Sequence, residues 1–440
     1  MIISHCQLLI EIVAYKYKSN IFVSAKYRAI FIPQKVKIVC IRERKKSGDA
    51  RVLFTPTQLA HIAQTYPEHL FTVESSPIRC FTDQEYKDVG IPVINDLHDA
   101  DILLGIKEVP SAHLIPGKTY FFFSHTTKMQ PHNKGYLQEL VDKKISFYDY
   151  ENFTNTQGRR LVSFGVDAGI IGAYQGLRTY GLQNNLFQLP YPNAQDTVEQ
   201  LLQHINHIKL PHLKIVVTGN GNVGKGVQSF LKSVGVLQVK PQDFLEQQFN
   251  TPVFTQLSKE DYLYSENEKN FCESEFFKHP QDYQNDFVKF AQTADLFING
   301  LSHTPGMPLL FTNNDISNPK FKINTIADIS CDVNEPIPTC VRASTISDPV
   351  YGYHKKWHQE CDFKTTDSIG IMAIDNLPCQ LPKMTSTHFG TQFMEQVLPY
   401  LLSDLQHPVL QKAHVLVLGE FTNKYGYLED FLHKETLASY

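Results

Sequence analysis

The chain is 440 residues long, 42% hydrophobic and 20% charged, with a formal net charge of −4. That length carries ample core for two or three domains, and the composition is that of an ordinary globular protein. The slightly acidic balance argues against nucleic acid or an anionic membrane surface as a partner, and eight cysteines without a Cys-x-x-Cys pair argue against a disulfide framework or a structural zinc site.

In chain order, residues 1–13 are largely apolar but interrupted by Glu11, and lysines follow over 15–26. No run reaches the length of a membrane span. Residues 1–35 read as a nonessential extension or an upstream start rather than as a signal or transit peptide, and the fold is expected to begin at Val36. Residues 36–41 read as a strand and 55–66 as a helix opened by Thr55-Pro56, a cap followed by a first-turn proline. Strands are expected over 70–74, 101–106, 118–124 and 145–150, and helices over 83–89 and 133–143. This alternation implies a parallel sheet with helices on both faces.

A long helix follows, with Gly165, Ala168, Gly169, Gly172, Ala173 and Gly176 spaced to let another helix or backbone come close, which reads as interdomain packing. A second βαβ unit starts at His212, its strands expected over 215–218, 236–239, 295–299 and 325–329. Residues 243–286 read as a surface excursion whose acidic run is solvated. Residues 394–405 read as an apolar-faced helix that returns to the first unit. The fold class is therefore α/β, two Rossmann-like doubly wound parallel-sheet domains with an active-site cleft between them. The boundaries are 36–163 for the substrate-binding domain, completed by 376–440, and 164–375 for the coenzyme domain.

The most informative segment is Lys214-Ile-Val-Val-Thr-Gly219-Asn220-Gly221-Asn222-Val223-Gly224. A strand, a Gly-x-Gly-x-x-Gly turn and a helix in that order are what a dinucleotide site requires. The first glycine makes the turn, the second admits the pyrophosphate, and the third lets helix and strand pack, with the helix N-terminus facing the anion. Asn299, Gly300 and Asp328, at the ends of later strands, complete the expected coenzyme contacts. Asp243 stands about 20 residues past the glycines, where an acid commonly reads the ribose 2′-OH of NAD. Lys240 could instead hold a 2′-phosphate, so NAD and NADP both stay open, with a lean to NAD. Eighteen histidines show no ligand spacing such as His-Glu-x-x-His, and no metal is expected.

In open α/β sheets ligands bind beyond the carboxyl ends of the strands. Lys107 and Glu108 follow one expected strand, His125 another, and Asp149 and Glu151 a third. Arg51 follows the first, and Arg159-Arg160 come soon after Glu151. A lysine, a histidine, carboxylates and arginines facing a nicotinamide suit oxidation of a C–N bond in an amino acid. Arginine forks grip carboxylates, a lysine of lowered pKa takes the amine proton, and the histidine activates water against the imine.

These residues resemble a known family. Ala50-Arg51-Val-Leu-Phe-Thr55-Pro56, Gly105-Ile-Lys107-Glu108-Val-Pro110, Phe123-Ser-His125, Tyr148-Asp149-Tyr150-Glu151 and Gln157-Gly158-Arg159-Arg160 are similar to the L-lysine-forming saccharopine dehydrogenases. They are equally similar to the lysine–ketoglutarate reductase half of aminoadipate semialdehyde synthases. Ile326-Ala-Asp328-Ile-Ser330-Cys-Asp332 and Ile374-Asp375-Asn-Leu-Pro378 extend the resemblance, which runs from about Val36 to about Leu405. It implies the superfamily of alanine dehydrogenase and the soluble part of transhydrogenase. It also implies Lys107 and His125 as the acid–base pair, and Arg51, Glu108, Glu151, Arg160 and Asp375 around the substrate. The implied activity is interconversion of saccharopine with L-lysine and 2-oxoglutarate, a single step in lysine metabolism. The scattered cysteines argue for a reducing compartment, and a cytoplasmic location is expected. The glycine segment is closer to the reductase half than to the fungal enzymes. An alanine-type dehydrogenase and a catalytically silent transhydrogenase-like binder are the competing readings.

Overall fold

The computed structural model describes residues 35–44, 49–265, 271–301 and 303–433. The expected N-terminal extension lies outside these residues, apart from Lys35. Two eight-stranded sheets organise the chain. The first contains β1 (Lys37–Cys40), β2 (Leu70–Glu74), β3 (Val93–Ile94), β4 (Ile102–Lys107), β5 (Thr119–Phe123) and β6 (Ser146–Asp149), all mutually parallel. The second contains β7 (Lys214–Thr218), β8 (Leu237–Gln238), β9 (Val253–Leu257), β12 (Leu296–Asn299), β13 (Thr325–Asp328), β14 (Val350–His354), β15 (Glu360–Cys361) and β16 (Ser368–Met372). Between β9 and β12, β10 (Leu263–Tyr264) and β11 (Gln284–Asn285) pair as a separate small ribbon. The first sheet is completed by β17 (His414–Val417), antiparallel to β6, and β18 (Glu420–Phe421), antiparallel to β17.

Strand order in the first sheet is β18-β17-β6-β5-β4-β1-β2-β3, and in the second β15-β14-β16-β13-β12-β7-β9-β8. The α/β class and the pair of Rossmann-like sheets are as the sequence implies. Local signals explain the helices well: Thr55 accepts from Gln58 N–H while Gln58 caps back, a box that opens helix Pro56–Thr65. The C-terminal helical stretch divides into Pro382–Gln396 and Leu398–Ser403. Its Phe389, Phe393, Leu398 and Leu401 are buried with Phe54 and Tyr150 in the core of the first sheet.

The small-residue helix is Gly165–Gln183, and it lies against helix Asn222–Ser233 at the end of the glycine turn. A Cβ at Gly169 would stand 2.8 Å from Val227 N and 2.9 Å from Gly226 Cα. The close approach is made, but its partner is the helix at the glycine turn, within 164–375, and not the interdomain contact expected.

The acidic excursion needs correcting. It contains β9, whose Val253, Phe254, Thr255 and Leu257 are buried and which lies directly beside β7. The strand expected over 236–239 is only β8, exposed at the sheet edge beyond β9. Among the described residues no helix is long and apolar enough to cross a membrane.

Candidate active site

The carboxyl ends of both sheets open onto one cavity of about 1270 Å³. One wall carries Lys107, Phe123, His125, Glu151, Arg159 and Arg160; the other carries the turn Gly219–Val223, Lys225 and Gly300. Lys107 is the last residue of β4, its ammonium 5.9 Å from the Phe123 ring centroid. His125 leaves the end of β5 with a left-handed φ of 59°, a backbone conformation costly for a histidine and one associated with functional sites.

Glu151 gathers the cations of this wall. Its Oε1 stands 3.1 Å from His125 Nδ1, 3.1 Å from Lys128 Nζ and 3.2 Å from an Arg160 Nη. Burial alone would raise the carboxyl, but His125, Lys128 and Arg160 together hold it at about 2. Its Oε2 is buried without a hydrogen-bond partner among the described residues. Asp149 beneath it has a different task. It accepts from Ser124 Oγ at 2.7 Å and from Glu151 N–H at 2.9 Å, so it shapes the turn that presents Glu151. Burial and the neighbouring Glu151 push Asp149 up to about 6.

Arg51 does not stand where the sequence reading put it. Its side chain is 2% exposed, forked onto Asp49 at 2.9 and 2.6 Å, and its guanidinium lies 4.3 Å from the Phe164 ring centroid. An arginine consumed by a buried bidentate pair has no fork left for a substrate carboxylate. Glu108 and Asp375 also fall outside the residues that line the cavity, Asp375 being exposed past β16.

On the coenzyme wall, Gly219 (φ 89°) takes the turn, and a Cβ there would stand 2.6 Å from Gly300 O. A Cβ at Gly221 would meet nothing within 4 Å, which leaves open space where a pyrophosphate would approach the backbone. Gly219, Asn220, Gly221, Asn222, Val223 and Gly300 line the cavity. Gly224 lies behind them, where a Cβ would stand 2.7 Å from Gln256 Nε2 and closer still to the Gly219 carbonyl. Asn299 and Asp328 do not line it. They form a buried ladder in which Thr218 Oγ1 donates to Asn299 Oδ1 at 2.7 Å and Asn299 Nδ2 donates to Asp328 Oδ1 at 2.9 Å. That ladder ties together the ends of β7, β12 and β13.

Lys240 and Asp243 are likewise outside the cavity wall: Lys240 precedes the short helix Pro241–Glu246, and Asp243 accepts from Gln247 Nε2. The reason is strand order. The strand beside β7 is β9, and the residues following β9 are Ser258, Lys259 and Glu260, all lining the cavity. Asn220 Nδ2 donates to Ser258 Oγ at 3.2 Å, and Lys259 Nζ stands 3.6 Å from Glu273. The sequence reading missed Lys128, Lys225, Ser258 and Lys259. The run Val253-Phe-Thr-Gln-Leu257 was the signal available for the last two.

Glu43 was missed as well. It is buried, and its carboxylate accepts from Ile106 N–H at 2.9 Å and Lys107 N–H at 3.0 Å. Burial, and then the nearby Asp49 carboxylate, push it up to about 7.

Comparison with known proteins agrees with this architecture. Residues 39–171 match the family described as alanine dehydrogenase/PNT, N-terminal domain. The mitochondrial alpha-aminoadipic semialdehyde synthase of Bos taurus is 29% identical over 405 residues, covering 81% of this chain and 44% of the relative. The chain thus spans about half the length of such relatives. The saccharopine dehydrogenase [NAD(+), L-lysine-forming] of Yarrowia lipolytica is 26% identical over 412 residues, 86% of this chain and 98% of that one. Among solved structures, an L-alanine dehydrogenase superposes with a TM-score of 0.59 at 14% identity, over 90% of this chain and all of that one. The transhydrogenase from Sinorhizobium meliloti superposes with a TM-score of 0.54 at 12% identity, over 88% of this chain and 98% of that one. The resemblance read from the sequence stands: residues 39–171 are similar to that N-terminal-domain family, and the chain is similar, over most of its length, to saccharopine dehydrogenases.

Proposed function

We propose that this chain is an amino-acid oxidoreductase that interconverts saccharopine with L-lysine and 2-oxoglutarate, using a nicotinamide dinucleotide. The observation that carries this reading is the meeting of Lys107, His125, Glu151 and Arg160 with the turn Gly219–Val223 across one cavity. Residues 36–163 and the returning C-terminal segment supply the substrate side, and residues 164–375 the coenzyme side. The glycine turn and the N-terminus of helix Asn222–Ser233 would hold the pyrophosphate. Ser258–Glu260 would face the adenosine ribose, so the choice between NAD and NADP rests there and not on Lys240 or Asp243.

When bound, a nicotinamide would supply a hydride acceptor for the carbon that carries the secondary amine. Lys107 takes the amine proton as that carbon is oxidised to the imine. His125 takes a proton from the water that adds to the imine carbon. Lys107 then returns its proton to the departing nitrogen. His125, having passed its first proton to solvent, takes the hydroxyl proton as the C–N bond breaks and the C=O forms, giving L-lysine and 2-oxoglutarate. Arg159 and Arg160 offer forks to substrate carboxylates, in place of Arg51. Glu151 stays ionised at neutral pH and holds the His125 imidazole.

The test is NAD(P)H absorbance with L-lysine plus 2-oxoglutarate, against pyruvate plus ammonia. Oxidation only with the first pair supports the proposal. Oxidation with the second points to an alanine-type enzyme, and coenzyme binding without turnover points to a silent binder.

A further inference from the structure

At the end of β4 the sheet is irregular. From Leu104 to Lys107 β4 takes three steps, while its partner β5 takes two, from Phe121 to Phe123. One extra residue therefore bulges out of β4 immediately before the lysine. Bulges of this kind re-aim the side chain that follows and leave backbone groups without ladder partners. On the other side, β1 last pairs with β4 at Cys40 and Leu104, and Ile41 N–H donates to Leu104 O at 2.9 Å. Beyond that point β1 no longer offers carbonyls to Ile106 and Lys107. Their two N–H groups go instead to the two oxygens of Glu43. The carboxylate does not line the cavity, so it cannot touch a substrate there.

We infer that Glu43 is a positioning residue: its carboxylate replaces the missing ladder, fixes the bulge of β4, and so holds Lys107 in line with the reacting nitrogen. A buried carboxylate is a costly acceptor unless both oxygens are used, and here a backbone N–H meets each one. Neither a surface role nor a role in packing alone requires two successive N–H groups to converge on one side chain. The inference rests on the reaction proposed above for its kinetic consequence, but its geometry stands apart from the identity of the substrate.

The experiment compares Glu43→Gln and Glu43→Ala with the wild-type chain in three measurements: amide exchange at residues 106 and 107, coenzyme affinity, and steady-state kinetics with L-lysine and 2-oxoglutarate. Glu43→Gln keeps the volume and one acceptor, and so guards against simple misfolding. The expected result is exchange at both amides faster by about tenfold or more. Turnover should fall by about 10- to 100-fold, the effect of misplacing a reacting group by about 1 Å, with coenzyme affinity unchanged. Glu43→Gln should lie between wild type and Glu43→Ala in both readouts. Unchanged exchange overturns the inference, because the carboxylate then does not hold these amides. Faster exchange with wild-type turnover also overturns it, because Lys107 then does not depend on the bulge. A wild-type chain that binds coenzyme but does not turn over L-lysine refutes the reaction instead, and exchange alone then decides whether Glu43 holds the bulge.

Discussion

Two glycine substitutions separate the packing of the coenzyme domain from its binding surface. At Gly169 an added methyl would stand 2.8 Å from Val227 N and 2.9 Å from Gly226 Cα, and closer still to the Val223 carbonyl. Relaxed contacts of this kind lie near 3.5 Å or more, so the shortfall is at least ~0.6 Å. Every clashing atom is backbone, so no side chain can rotate away and the two helices must part. Overpacking of this kind costs about 1–3 kcal/mol, and three backbone clashes put Gly169→Ala at the upper end. For a unit of this size that is a fall of about 6–12 °C in Tm. Val223 belongs to both the clash and the cavity wall, so coenzyme affinity should fall too. At Gly221 an added methyl meets no protein atom within 4 Å, and the backbone φ of −75° suits alanine. Gly221→Ala should therefore leave Tm within the range of neutral surface changes, about 0.5 kcal/mol, while occupying the space a pyrophosphate needs. Differential scanning fluorimetry and NAD(P)H fluorescence titration on both variants are the assays. If Gly169→Ala melts with wild type, the helix contact is not the constraint described. If Gly221→Ala binds coenzyme normally, the dinucleotide does not lie on this turn.

Lys107→Met and His125→Gln should each lower turnover by about 10²-fold or more while coenzyme still binds, and a double variant with near wild-type turnover would remove both from the chemistry. Lys259→Glu should shift selectivity from NADP toward NAD by about tenfold or more, since a carboxylate beside a 2′-phosphate replaces an ammonium. Lys240→Ala and Asp243→Ala should leave the ratio of kcat/KM values unchanged, and a ratio that moves with these instead would refute the assignment to the end of β9. His414, stacked on Tyr148 at 4.0 Å, is held down to about 4 by burial. The unfolded chain takes up this proton near pH 6.5 and the folded chain refuses it. Stability is therefore complete above about 6.5 and falls as pH drops toward 4, by up to ~3 kcal/mol from this group. His414→Phe should flatten that part of the profile, and denaturant midpoints at pH 7 and 4.5 that change equally in both proteins would show that His414 does not titrate there.

The sequence by itself determined what depends on short-range pattern. The strand, glycine turn and helix around 214–233 follow from a buried β-branched run and three spaced glycines. Lys107, His125 and Glu151 stand at or just past strand ends because runs of apolar residues stop there, and Arg160 follows Glu151 closely in the chain. The small residues of helix Gly165–Gln183 likewise announce a close neighbour. Tertiary structure alone decided the rest, because neighbours in a sheet need not be neighbours in the chain. Counting from the glycines pointed to Lys240 and Asp243, but β9 takes the place beside β7 and brings Ser258 and Lys259 to the cavity instead. Arg51 looked like a substrate fork because nothing in the order of residues reveals that Asp49 already fills it. Asn299 and Asp328 stand at strand ends as expected, yet their side chains turn toward each other, since a buried amide and a buried carboxyl must find partners wherever the sheet supplies them. Glu43 emerged only when a bulge 63 residues away left two N–H groups facing it.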